Sequence, residues 1–349
     1  MRRSIFAGIN YPWTVLDGKP NFGCDFGRNV WRSHTGVSTH RAKVQRDFEA
    51  MAAMGVTIAR WWIWTDGRGG IEWRGGDPAG LAVSFFEDMD AALAIARDTG
   101  VELCLVLFDH MWMFHSEVRS DAGEFLFNTQ PDLLATSAGL ARLTANIVDP
   151  FLARYGHGGA QQDLGRMIRM IDVINEPDWV TRDLSPSKAR DGKTGERILR
   201  RPFTLNELRR FVRAVADRVH DRFDENTLVT VGGGRVKFAA EWDDPAYGLD
   251  VIQIHSYPDE DHPRRDETVI GRDAASFGVS KPILIGEHPA NGNRMHPADH
   301  HPPDFSLDNY VRLARDGGYA GAWPWSFKGI DGFGAVDAEE MRATRPSAP

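Results

Sequence analysis

Eight short runs of β-branched and aromatic residues alternate along this chain with longer segments of helical periodicity. The runs fall at residues 4–10, 57–63, 102–109, 168–176, 227–232, 250–257, 282–287 and 321–326. Helical patterns separate them at 39–54, 84–99, 131–155, 204–223, around 237–241, at 271–277 and at 305–316. In the clearest of these, Leu205, Leu208, Phe211, Val212, Val215 and Val219 make one stripe of 3.6-residue period, and Thr204 with Glu207 forms a capping box at its start. Such alternation predicts parallel strands joined by helical crossovers. Eight repeats predict closure into a (β/α)8 TIM barrel, an α/β fold with 1–349 as a single domain. No linker, charge block or composition shift divides the chain. An open doubly wound sheet is the alternative, but no Gly-rich phosphate loop follows the first run. Val231-Gly232-Gly233-Gly234-Arg235, after the fifth, has neither dinucleotide spacing nor a P-loop lysine, and reads as a tight turn.

The connections are unequal. Those following strands are long, at 11–38, 64–83, 110–130, 178–203, 259–270 and 288–304, and most of the return connections are short. In a barrel the long loops all rise from the carboxyl ends of the strands and build one deep mouth, where such folds keep their chemistry.

Charge and composition exclude several classes. Forty-nine acidic residues against forty-one basic give a net charge of −8 with no basic stripe, which argues against nucleic acid or an anionic membrane surface as partner. No apolar run reaches the roughly 18 residues of a spanning helix. The start, Met1-Arg2-Arg3-Ser4-Ile5-Phe6-Ala7-Gly8, has too short an apolar stretch for a secretory leader, so a cytoplasmic protein is expected. Two cysteines, Cys24 and Cys104, supply neither a disulfide framework nor metal-ligand spacing. Nothing in the sequence fixes an oligomeric state.

Two strand runs end in a glutamate followed at once by turn-forming residues: Asn175-Glu176-Pro177 and Gly286-Glu287-His288-Pro289. A charge at the end of a strand apolar on both faces must point into the mouth or find a partner. Two facing carboxyls are the minimum equipment for breaking a glycosidic bond. Arg60, closing the run Thr57-Ile58-Ala59-Arg60, needs a carboxylate if buried, and would hold such a group ionised. Asn175 offers hydrogen bonds to a sugar hydroxyl. His255 and Tyr257 share a strand face with Gln253, so that the first two can hold both carboxyls, although a histidine on a strand also serves as ordinary core. Trp323 and Trp325 share another face, as core or as a platform for a pyranose ring. Asp109 and His110 end the third run, as caps or as groups reaching ring hydroxyls. The histidines at 288, 296, 300 and 301 match no zinc spacing and read as part of a polar loop.

This ordered set resembles the clan A glycoside hydrolases, most closely the family-five cellulase and mannanase type, from Ile9-Asn10 to Trp325-Ser326. The resemblance implies a retaining β-glycosidase with Glu176 as acid/base and Glu287 as nucleophile. It also implies that Asn175 binds the sugar 2-hydroxyl, that Arg60 and Tyr257 contact the nucleophile, that His255 sits near the acid/base, and that Trp325 floors the subsite of the reacting sugar. The Phe108-Asp109-His110 sequence departs from the His-Asn pair of many members. The implied substrate is a β-linked carbohydrate, either an oligo- or polysaccharide or a glycoconjugate. Neither a metal nor an organic cofactor is called for. Transglycosylation at the same site, a non-catalytic carbohydrate-binding barrel, and a metal-dependent hydrolase or aldolase barrel are the competing readings. The last would want His-x-His on the first strand or a lysine at a strand end; only Lys328 lies near one.

Overall fold

The computed structural model describes residues 4–31, 33–113, 116–119, 125–129, 131–184, 203–257, 269–290, 307–330 and 334–343. Its centre is one eight-stranded parallel sheet taken in chain order: β1 Gly8–Asn10, β2 Ile58–Trp62, β3 Glu102–Asp109, β4 Ile168–Asn175, β5 Leu228–Gly233, β6 Ile252–His255, β7 Ile283–Pro289 and β8 Gly321–Trp325. All seven neighbouring pairs are parallel. The ends of the sheet meet. The amide of Phe327 donates to the carbonyl of Asn10 at 2.9 Å, and the Asn10 side-chain amide donates to the carbonyls of Gly286 and Trp323 at 2.8 and 3.1 Å. The fold is therefore the expected (β/α)8 barrel, and every barrel strand lies within two residues of its sequence run except the first.

That exception has a reason. Residues 4–7 read as strand but run beneath the barrel, where the Ile5 carbonyl accepts the indole N–H of Trp323 at 3.0 Å. Trp323 itself is fully buried. With Ile5, Ile58, Cys104, Met170 and Leu284 it forms a small cluster inside the barrel, separate from the large core between strands and helices. An added Cβ on Gly8 would sit 2.2 Å from its Nε1, so the first strand passes the indole only because residue 8 has no side chain. This layer closes the barrel from within, as stacked interior side chains do in such folds.

The outer ring contains α1 Arg41–Met54, α2 Val83–Thr99, α3 Pro131–Ala135, α4 Ser137–Leu143, α5 Asp149–Tyr155, α6 Gln162–Gly165, α7 Leu205–Arg222, α8 Leu307–Asp316 and α9 Ala338–Ala343. The capping box of α7 forms: Thr204 Oγ accepts from the Glu207 amide at 3.3 Å, and Glu207 Oε2 accepts from the Thr204 amide at 2.8 Å. The single helix expected over 131–155 is instead broken. Thr136 caps a fresh start at α4, accepting from the Gly139 amide, and Pro150, which lacks an N–H, follows one π-helical turn at Thr144–Val148. The loops after β1, β2 and β3 each carry a two-stranded hairpin not anticipated from the sequence: Val15–Leu16 with Lys19–Pro20, Ile71–Arg74 with Asp77–Leu81, and Ser116–Arg119 with Phe125–Thr129. The first two turn at Asp17-Gly18 and Gly75-Gly76, all four at positive φ, the backbone that matches the twist of the flanking strands. No described helix is long and apolar enough to cross a membrane.

Candidate active site

The site is built on the carboxyl ends of the strands. Glu176 follows β4 and adopts a left-handed backbone, φ 51° and ψ 41°. For a side chain of this kind that conformation costs about 1–3 kcal/mol and must be imposed by its surroundings. Its amide donates to the Gly232 carbonyl at 2.6 Å, and the 3-10 turn Pro177–Trp179 continues from it. Glu287 lies within β7, where the pairing register to β6 and β8 shifts around it. The bare Gly286 before it leaves room for Gln253, whose Cγ would be 2.4 Å from an added Cβ.

His255, in β6, stands between the two acids. Its Nδ1 is 2.9 Å from Glu176 Oε1 and 3.5 Å from Glu287 Oε2. One oxygen of Glu176 and one of Glu287 lie within 4.8 Å of each other and of that nitrogen. Three atoms so placed are close enough to hold a cation. The positive charge is already supplied, however, because the Arg60 guanidinium touches Glu287 (Nη1 to Oε1, 2.5 Å).

Arg60, at the centre of β2, is completely buried. Each of its five N–H groups has a partner. Nη1 donates to Glu287 and to Asn10 Oδ1 (3.0 Å); Nη2 donates to Asn175 Oδ1 (2.7 Å) and Asp172 Oδ2 (2.8 Å); Nε donates to Asp172 Oδ2 (3.0 Å). A planar five-donor fork used in full cannot rotate, so this arginine presents one fixed direction to Glu287. Its flat face lies 4.3 Å over the ring of Trp62. Tyr257 completes the hold on Glu287, its hydroxyl donating to Oε2 at 3.0 Å.

On the other side of Glu176 lies a second chain of partners. Asn175 Nδ2 donates to Asp109 Oδ2 at 2.9 Å, and Asp109 Oδ1 is 3.0 Å from His110 Nδ1. Asp109 and His110 thus face each other and the Glu176 side of the pit. Burial alone would push the His110 imidazole down, but the Asp109 carboxylate beside it carries it to about 9. Burial alone would raise Asp109, and His110 holds it below the ordinary carboxylate range. Burial lowers His255 to about 4, so this ring is neutral near neutral pH. Burial raises both Glu176 and Glu287. The two differ in what opposes it: Glu287 meets Arg60 and Tyr257 in direct contact, whereas Glu176 contacts the neutral His255 ring, is lowered through space by the charged His110 and by Arg60, and is raised by Asp109.

Eight of the ten residues singled out in the sequence join one connected network: Arg60, Asp109, His110, Asn175, Glu176, His255, Tyr257 and Glu287. Trp325 adjoins it, half-buried, its ring 5.3 Å from that of Trp62 and perpendicular to it. Trp323 does not reach the mouth. It shares the inward face with Trp325, but two residues along a strand is about 6.6 Å, enough to leave one ring at the opening and the other inside the barrel. His288 is not a loop residue either. It is buried in β7, stacked 4.4 Å from Tyr310, and burial lowers it to about 4. The histidines at 296, 300 and 301 lie outside the described residues, as do 185–202 and 258–268 of two long loops. Cys24 and Cys104 are both free and buried.

Several members of the site escaped the sequence reading. Asp172, fully buried in β4, orients Arg60 and also accepts from Gln253 Nε2 at 2.7 Å and from the Gly232 amide at 2.9 Å. A signal existed: a carboxylate within Ile171-Asp172-Val173-Ile174 must meet a cation, and Arg60 sits in a comparably apolar strand. Asp178, two residues beyond Glu176, is buried, bound by the Gly234 amide at 2.8 Å, and raised by that burial to about 7. The glycine run read as a tight turn belongs largely to β5. An added Cβ at Gly232 would fall 2.7 Å from Arg60 Nη2, at Gly233 2.4 Å from Trp242 Nε1, and at Gly234 2.4 Å from Trp179 Nε1. These residues are bare backbone because side chains of the site occupy the space beside them.

No family model matches the chain, and no curated protein matches it. Solved structures do. They include a β-mannanase from the blue mussel Mytilus edulis (18% identity, TM-score 0.68, covering 97% of this chain and 90% of that one). A β-1,4-D-mannanase from Cryptopygus antarcticus matches at 16% identity and TM-score 0.71, covering 98% of this chain and 90% of that one. An endo-1,4-β-mannanase from Eisenia fetida matches at 18% identity and TM-score 0.70, covering 100% of this chain and 92% of that one. At such identities the likeness is one of fold, and it extends the (β/α)8 barrel over the whole length of this chain.

Proposed function

We propose that this protein is a retaining β-glycoside hydrolase of the clan A, family-five type, acting on a β-1,4-linked hexose chain, with mannan the first substrate to try. The observation that carries this reading is the approach of Glu176 and Glu287 to within 4.8 Å across His255, with Arg60 bound to only one of them. Carboxyls about 5–5.5 Å apart suit direct attack on the sugar, whereas an inverting pair stands roughly 6.5–9.5 Å apart to admit a water. The whole-length likeness to barrels described as β-mannanases supports the choice of substrate class.

The chemistry follows from the two environments. Glu287, ionised against Arg60 and Tyr257, attacks the anomeric carbon. The bond from that carbon to the leaving oxygen breaks as Glu176 transfers its proton to that oxygen, leaving a glycosyl ester on Glu287. Glu176, now a carboxylate, takes a proton from water, whose oxygen attacks the anomeric carbon and frees Glu287. A second sugar hydroxyl in place of that water gives transglycosylation. His255, uncharged, holds the Glu176 carboxyl without adding the positive charge that would acidify it.

The test uses Glu287→Ala and Glu176→Ala with an aryl β-mannoside and with β-1,4-mannan. Both variants lose turnover, and azide returns activity to Glu287→Ala with an α-glycosyl azide as product. Wild-type enzyme releases the β-anomer first, followed by NMR. Wild-type rates in both variants, or release of the α-anomer, would reject the assignment.

A further inference from the structure

We propose that Trp179 is a positioning residue for the proton donor: its indole N–H holds the Glu176 carboxyl toward the leaving oxygen, and Arg235 and the bare Gly234 hold the indole. The inference rests on the glycosidase reading above and adds a residue to it.

The turn after β4 brings residue 179 back onto residue 176. Pro177, its φ fixed by its ring, opens the 3-10 turn directly after the left-handed Glu176. Such a turn has three residues per revolution, so side chains three apart eclipse. The Trp179 amide donates to the Glu176 carbonyl at 3.2 Å, and the indole N–H donates to the Glu176 carboxyl. Thr181 closes the turn, its amide and hydroxyl donating to the Pro177 carbonyl at 3.0 and 2.8 Å. Asp178 accepts from the Gly234 amide at 2.8 Å and so fastens the turn to the residue that follows β5.

The indole, half-buried, is held in its turn by the chain beyond β5. An added Cβ on Gly234 would sit 2.4 Å from Trp179 Nε1 and 3.1 Å from Glu176 Cγ. Gly234 is not among the glycines at positive φ, so its backbone does not call for glycine. What calls for it is the space in which the N–H meets the carboxyl. Arg235, the next residue, lays its guanidinium 5.1 Å from the Trp179 ring and 5.6 Å from the Phe238 ring, a cation shared by two aromatic faces.

The contact suits an acid that must give up its proton. An indole carries one donor and no acceptor, so it holds a carboxyl oxygen and cannot take the proton itself. With His255 Nδ1 at 2.9 Å from Oε1, the Glu176 carboxyl is held from two elements, β6 and the turn after β4. A donor to a carboxylate favours the charged form. The bond therefore strengthens as the proton passes to the leaving oxygen, and an interaction that is stronger in the transition state than before it accelerates the step.

The test uses Trp179→Phe, which keeps a ring beside Arg235 and deletes the N–H. Wild type and variant are compared on the β-mannosides of dinitrophenol, which leaves without a proton, and of phenol, which needs one. The ratio of kcat/KM for the dinitrophenyl to the phenyl substrate rises roughly tenfold in Trp179→Phe, part of the about hundredfold or more that a general acid contributes. The alkaline limb of kcat/KM for the phenyl substrate moves upward, because a donor to the carboxylate is gone. The other titratable groups facing Glu176 are untouched by the change: His255 from β6, His110 and Asp109 at the end of β3, Arg60 from β2, Glu287 from β7 and Asp178 from the turn. Arg235→Met, which loosens the indole, raises the ratio by a smaller factor and takes the place of Trp179→Phe should that variant not fold. A ratio unchanged from wild type, with both substrates slowed alike, makes the tryptophan merely structural and overturns the proposal. If wild type cleaves neither mannoside, the Glu176 carboxyl is titrated by NMR in protein carrying isotope-labelled glutamate, its signal identified by its loss in Glu176→Gln. A titration shifted upward in Trp179→Phe upholds the contact while the catalytic reading falls. A titration that does not move rejects the contact as well.

Discussion

Asp172 sets the direction of Arg60: its Oδ2 accepts both Nε and Nη2 of the guanidinium, at 3.0 and 2.8 Å, inside the barrel where neither group meets solvent. Glu287 then receives the remaining edge of an arginine that has nowhere else to turn. The environment of Glu287, the nucleophile of the proposed mechanism, is thus decided by a residue wholly buried inside the barrel. Replacing it by alanine leaves a buried cation half-compensated, at a cost of about 3–5 kcal/mol. Asp172→Ala should lower the urea midpoint accordingly and reduce kcat roughly a hundredfold as Arg60 drifts. A folded Asp172→Ala with wild-type kcat would show that Arg60 needs no such guide.

The electrostatics of Glu176 can be read from the pH profile. His110, raised to about 9 by Asp109, is charged at neutral pH and lowers the affinity of Glu176 for its proton. His110→Gln removes that charge and leaves the Asp109 carboxylate facing the site, and both changes raise the Glu176 pKa. The alkaline limb of kcat/KM should therefore move upward by roughly one unit. A downward shift would mean that another group sets that limb.

Gly232 tests the bare-backbone argument. A methyl there would press on Arg60 Nη2 at 2.7 Å and on Asn175 Oδ1 and Asp172 Oδ2 at 3.0 Å. Gly232→Ala should cost about 1–3 kcal/mol by overpacking and lower kcat more than it raises KM. Denaturant titration and initial rates on the same preparation separate the two effects.

Asp178 gives stability a pH dependence whose sign can be stated. Its folded pKa, about 7, is raised from the ordinary 3.8, so the folded protein holds this proton more tightly than the unfolded chain. The associated stability is complete below about 3.8 and is lost as pH rises through about 7. Asp178→Asn keeps an oxygen for the Gly234 amide and has no charge to gain. Relative to wild type, its melting temperature should rise between pH 4 and pH 8. A constant difference across that range would contradict the raised pKa.

Trp323 separates plug from platform. Trp323→Phe removes volume from the inner layer and leaves the Ile5 carbonyl without its donor, at a cost on the order of 1–3 kcal/mol. KM for short substrates should stay within about twofold of wild type. A large rise in KM at unchanged stability would restore the sugar-binding role.

The sequence by itself determined the barrel and the two acids. Parallel strands buried on both faces are written as apolar runs, and a charge that ends such a run declares itself: Glu176, Glu287 and Arg60 were visible for that reason. Hydrophobic period also placed α7, because its stripe and its cap at Thr204 are local. Two of the hairpins are equally local, turning at Asp17-Gly18 and Gly75-Gly76 within the long connections 11–38 and 64–83. Only the tertiary structure decided depth and partnership. Strand parity says which face a side chain takes but not how far along the barrel axis it sits, so Trp323 and Trp325 looked alike until one proved to be the floor of the barrel and the other the edge of the mouth. Asp172, Asn10 and Gln253 became part of the site through pairings between strands remote in the chain. Gly232 to Gly234 became space for other residues' side chains, a property that no local pattern records because it belongs to the neighbours.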